Sequence, residues 1–103
     1  MNRDTIKRLK DDVPFLIKYR ALHKDEQKWI EPLLKRSIRT ALQILDKISF
    51  NPLPYQQIAD KVGLHHATVS QILNALADGG LRVILSKETA YAPIGRPREL
   101  VRR

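Results

Sequence analysis

Residues 55–81 read YQQIADKVGLHHATVSQILNALADGGL, and their pattern decides how the chain is organised. Ile58, Ala59 and Val62 fall on one face of a short helix. Gly63 follows, a residue free to take the positive φ that a tight turn between helices needs. Val69, Ile72, Leu73 and Leu76 then mark the inner face of a second helix, which Gly79 and Gly80 end. A short helix, a glycine turn and a second helix make a helix-turn-helix arrangement. In that arrangement the second helix is a rod whose outer face fits a DNA major groove.

The same residues carry a resemblance. Ala59 is small where the helices would cross, Gly63 lies four residues on, Val69 six beyond that and Ile72 three further. With Ile58, Val62, Leu64, Thr68, Ser70, Leu73, Leu76, Gly80 and Leu81, this spacing resembles the helix-turn-helix of bacterial transcription regulators, in particular the winged MarR, ArsR and cyclic-AMP-receptor types. The resemblance covers about a quarter of the chain. It implies a winged helix-turn-helix: mainly α, with a small β-hairpin wing, here with extra N-terminal helices.

If the apolar face of the second helix points inward, His66, Ala67, Ser70, Gln71 and Asn74 point outward. Gln and Asn pair bidentately with adenine, Ser serves several bases, and Ala67 suits a thymine methyl. Thr68, near the helix start, is placed for a phosphate. The plain alternative is that these are ordinary solvent-facing polar residues. His65 and His66 are adjacent, so they point different ways, and the chain has no cysteine to complete a metal set. His65 occupies the cap position where Ser, Thr or Asp is usual, a departure from the family pattern. A phosphate or base contact suits the pair better than a metal.

Charge points the same way. The chain of 103 residues has a formal net charge of +8, which favours a polyanionic partner such as double-stranded DNA. Yet within residues 55–81 only Asp60, Lys61 and Asp78 are charged, so the reading helix is not the source of electrostatic affinity. That has to come from the basic N-terminal half and from the tail, where Arg96, Arg98, Arg102 and Arg103 face a single Glu99. Residues 95–98, Gly-Arg-Pro-Arg, also resemble an AT-hook, in which an extended arginine enters a narrow minor groove. A solvated basic tail is the competing reading.

Upstream, Ile6 and Leu9 suggest a short amphipathic helix over 3–12. Phe15, Leu16, Tyr19 and Leu22 suggest another over 14–23, with Pro14 in its first turn. Residues 23–28 are polar and read as a connection. From Pro32 the apolar stripe Leu33, Leu34, Ile38, Ala41, Leu42, Leu45 and Ile48 predicts one core helix to about Ser49. Residues 50–54, FNPLP, form a loop, with Leu53 a candidate for a small strand. Residues 82–85 and 91–94 are apolar runs around the polar turn 86–89, which predicts the wing hairpin with Lys87 at its tip. The second strand is expected within 90–94, or alternatively at 99–102 with residues 95–98 at the tip.

This divides the chain into an N-terminal helical extension (1–28), a winged helix-turn-helix domain (29–95) and a basic tail (96–103). Phe15, Leu16, Tyr19, Leu22 and Trp29 exceed what one small core obviously needs, so the extension is expected to form a homodimer. The alternative is that it caps its own core. There is no cysteine, no membrane-length apolar run and no signal peptide, so a cytoplasmic, nucleoid-associated protein is expected. No nucleophile-and-base pattern, phosphate loop or metal spacing is visible, so neither an enzyme nor a cofactor is expected, and no small-molecule effector can be named. The expected contacts to DNA are His65, His66, Ala67, Thr68, Ser70, Gln71, Asn74, Lys87, Arg96 and Arg98. Transcription regulation is the leading role. Plasmid or phage replication or partition, and a winged-helix module for a protein partner, are the alternatives.

Overall fold

A computed structural model describes residues 1–94. The chain is mainly helical with a small three-stranded antiparallel sheet. Its order is α1 (Arg3–Arg8), a 3-10 turn (Leu9–Asp12), α2 (Val13–Ala21), α3 (Lys24–Ile30) and a 3-10 turn (Glu31–Leu33). Then come α4 (Arg36–Lys47), β1 (Leu53–Pro54), α5 (Tyr55–Val62), α6 (His66–Asp78), β2 (Ile84–Leu85) and β3 (Thr89–Tyr91).

The first three elements carry one continuous amphipathic stripe. Asn2 Oδ1 accepts from the Thr5 amide at 2.8 Å and starts α1. Ile6, Leu9, Val13 and Leu16 then recur three or four residues apart, and all four are buried in the common core. Pro14 lacks the amide that would bond the Lys10 carbonyl, and the residues just before it tighten into a 3-10 turn. The apolar stripe passes through this change without a break. Phe15, expected on it, is 38% exposed and sets its ring edge against Tyr19 at 5.9 Å.

Two expectations fail in the next stretch. Residues 23–28 are not a connection: His23 caps α3 and Lys24 to Lys28 make most of it. The helix buries no side chain, so it has no apolar stripe to betray it. Polar bonds hold it instead. Glu26 Oε1 accepts from the His23 amide at 3.2 Å, Gln27 Nε2 donates to the Tyr19 carbonyl at 2.9 Å, and the Tyr19 hydroxyl donates to the Gln27 carbonyl at 3.1 Å. Burial, with Glu31 nearby, pushes the Tyr19 hydroxyl above its ordinary pKa. Nor does the core helix run from Pro32. The backbone is extended at Leu34 and Lys35, and α4 begins at Arg36. Leu33 therefore leaves the stripe and is 83% exposed, while Ile44, which the sequence reading passed over, is fully buried.

The core joins Ile6, Leu9, Val13 and Leu16 to Ile38, Ala41, Ile44, Leu45 and Ile48 of α4, Ile58 and Ala59 of α5, and Val69, Ile72, Leu73 and Leu76 of α6. Each large aliphatic side chain there contributes about 1.5–3 kcal/mol. The division expected between residues 28 and 29 falls inside α3, and the residues before it share this one core.

The sheet has the order β1-β3-β2, with Leu53 opposite Ala90, Pro54 opposite Thr89, Ile84 opposite Tyr91 and Leu85 opposite Ala90. Pro54 sits on an edge strand, where a missing amide is tolerated. The last strand begins at Thr89, two residues before the 91–94 run, because Ser86 and Thr89 close the turn themselves (Ser86 amide to Thr89 carbonyl, 2.9 Å). The other expected partner, residues 99–102, lies outside the described residues. Among the described residues no helix is long and apolar enough to cross a membrane.

Candidate nucleic-acid interface

α5 and α6 meet through a turn built on one glycine. Gly63 has φ 71° and ψ 34°, and its amide and that of Leu64 both return to the Ala59 carbonyl. Ala59, 1% exposed, lies in the core with no side-chain bulk to hold the helices apart. His65 is extended, and its Nδ1 accepts from the Ala67 amide at 3.2 Å. A histidine thus does the work of the usual Ser or Asp cap. Its ring lies beside that of His66, centroids 4.3 Å apart, so the two do not point different ways as expected: His65 is the extended cap and not a helical neighbour.

From this start α6 buries Val69, Ile72, Leu73 and Leu76 and leaves a polar outer side. His65, His66, Ala67, Gln71 and Asn74 are exposed, and Thr68 and Ser70 are half-buried. The seven expected contact residues of this segment therefore share one helix and its cap. Asn74 is partly committed: its Nδ2 donates to the Ser70 carbonyl at 2.9 Å and to Ser70 Oγ at 3.4 Å. To read a base bidentately it has to give up those bonds. Lys87 is exposed on the β2–β3 turn. That turn is tied to the start of α5, since the Tyr55 amide donates to the Glu88 carbonyl at 3.0 Å and the Tyr55 hydroxyl to the Ser86 carbonyl at 3.4 Å. Arg96 and Arg98 lie outside the described residues.

Other positively charged residues, which sequence reasoning did not place here, border the same helix. Arg3, Lys7 and Lys10 line a cleft of about 590 Å³ together with Gln71, Asn74 and Asp78. Ile6 and Ala75, both buried, line it as well. The spacing of 3, 7 and 10 was readable as one helical face; what it packs beside was not. At the far end of α6, the Leu81 amide returns to the Leu76 carbonyl and that of Gly80 to Ala77, with Gly80 at φ 99°. Gly79 has an ordinary backbone but no room: a Cβ there would fall inside the Lys10 carbonyl oxygen and against Val13.

A second cavity, about 480 Å³, lies between α2, α3 and α4, with Tyr19, Arg20, Arg39, Asp46 and Phe50 among its walls. Arg20 ties elements together there, donating through Nη2 to the Ala92 carbonyl at 2.9 Å and Ser49 Oγ at 3.2 Å. Burial lowers the Arg20 pKa and Asp46 opposes the shift. Among the described residues no group of three or more His, Cys, Asp or Glu is placed to hold a metal.

Comparison with known proteins returns no matching family model, no similar curated protein and no similar solved structure.

Proposed function

We propose that this protein binds double-stranded DNA with sequence preference, as a winged helix-turn-helix transcription regulator. The observation that carries the reading is α6: it is anchored along its inner side, and its outer side holds His66, Ala67, Gln71 and Asn74 exposed and Ser70 half-buried, with no Lys or Arg and Asp78 as its one carboxylate, in a chain of net charge +8. Base edges are read by such side chains in the major groove, while affinity comes from cations elsewhere. The β2–β3 hairpin is the wing, with Lys87 placed for a phosphate.

Enrichment of random duplexes against the purified protein tests this. A selected site should be retained with an affinity that falls steeply with salt. Retention of no duplex at low salt would sink the reading. Gln71→Ala should leave folding within about 0.5 kcal/mol of wild type. It should also cost about 1–3 kcal/mol of discrimination at one base pair of the selected site.

The same reading includes a homodimer on two half-sites, but not through Leu16 and Tyr19 of the extension, which are buried in the chain's own fold. Trp29 is 84% exposed and Leu33 83%, four residues apart, large apolar side chains that a second copy would cover. Deleting the N-terminus is the wrong test, because Ile6, Leu9, Val13 and Leu16 belong to the core. Sedimentation of Trp29→Glu beside wild type is the right one: a dimer should become a monomer, and a wild type already monomeric on and off DNA ends the idea.

A further inference from the structure

We propose that Arg3, Lys7 and Lys10 form a second contact strip that holds the phosphate backbone flanking the groove read by α6. The inference rests on the DNA-binding reading above and adds where the duplex lies. The three residues occupy one face of α1 and the turn after it, and all three are exposed. They line one cleft with Gln71 and Asn74, two of the residues proposed to read bases. Ile6, beside them, is buried in the same core as Ala75, so the strip has a fixed place relative to α6.

Dimensions agree with this placement. A helix fills the major groove, which is about 12 Å wide, and the backbones border it on both sides. Packed helices lie about 8–10 Å axis to axis, so a neighbour in contact with a reading helix reaches the bordering strand with its long side chains. Charge agrees too. α6 has no lysine or arginine and ends in Asp78, so the long cationic side chains that hold a phosphate have to come from its neighbours. The Lys10 carbonyl lies at the Gly79 end of α6, so Asp78 and Lys10 mark the same end of the cleft. Asp78 opposes an anion there, and the strip is strongest away from it, at Arg3 and Lys7.

The test compares two triple variants of equal charge, both at exposed positions: Arg3→Ala/Lys7→Ala/Lys10→Ala, and Lys18→Ala/Lys28→Ala/Lys35→Ala on other faces. Affinity for the selected duplex and for a random duplex is measured from low to high salt, with melting followed by circular dichroism. The first variant should lose about 100-fold at moderate salt on both duplexes, leaving their ratio unchanged. Its slope of log affinity against log salt should flatten by about 2 to 3, at roughly 0.9 per lost contact. The second should lose under about fivefold. Lys7→Gln alone should flatten the slope by roughly 1, which keeps the test decisive if the triple variant folds poorly. Equal losses in both triples, or an unchanged slope in the first and in Lys7→Gln, overturn the strip and leave DNA binding standing. A wild type that retains no duplex overturns the DNA-binding reading itself, and the strip with it.

Discussion

The two ends of α6 are fixed by opposite means. At its start the constraint is conformational: Gly63 holds φ 71° in open space, with nothing within 4 Å of where a Cβ would sit, and an exposed histidine caps the helix. At its finish the constraint is volume: Gly79 has an unremarkable backbone, yet the carbonyl of Lys10 and the side chain of Val13 press against it. The carbonyl in the way belongs to Lys10, in the turn before α2, so an element far upstream in the chain sets the need for a glycine at the end of α6. The difference teaches that the start is loosely built from local parts, while the finish depends on long-range fit.

Gly79→Ala breaks this comparison most directly. Since backbone rather than a flexible side chain stands in the way, it should cost about 1–3 kcal/mol, read from urea unfolding. It should also shift α1 relative to α6. Gly63→Ala comes next, at about 1–2 kcal/mol for a left-handed backbone, with no packing change elsewhere. His65→Ala should cost least, roughly 0.5–1 kcal/mol for one exposed cap. Should His65→Ala prove as damaging as Gly79→Ala, the contrast between a local and a long-range end is wrong. His65→Asp sharpens it: the fold should hold or gain a few tenths of a kcal/mol at the helix start. Duplex binding should weaken by a few-fold, because a carboxylate would then face phosphate.

What the sequence disclosed follows from where its information is local. The α5–turn–α6 unit was legible because apolar periodicity and Gly63 lie within a few residues of each other. The hairpin was legible as two apolar runs about a polar turn, though the pairing of Ser86 with Thr89 shifted its second strand. α3 was not, because bonds from Gln27, Glu26 and Tyr19 hold it and none leaves an apolar pattern. Leu33 looked like part of a stripe because periodicity cannot see an extended backbone at Leu34 and Lys35. For the candidate site, the outer side of α6 could be listed in advance. The position of Arg3, Lys7 and Lys10 beside it could not, since no local signal says which helix a given face packs against.

The strand order carries a consequence for motion. Leu53 meets Ala90, and the Tyr55 amide meets Glu88, so the 36 residues between them form a loop whose ends are stitched together by the sheet. α5 and α6 ride inside that loop. A force arriving at the hairpin tip is thereby delivered to the first turn of α5. The hairpin cannot fray without loosening that turn, so amide exchange in the two should slow and quicken together, as one cooperative segment.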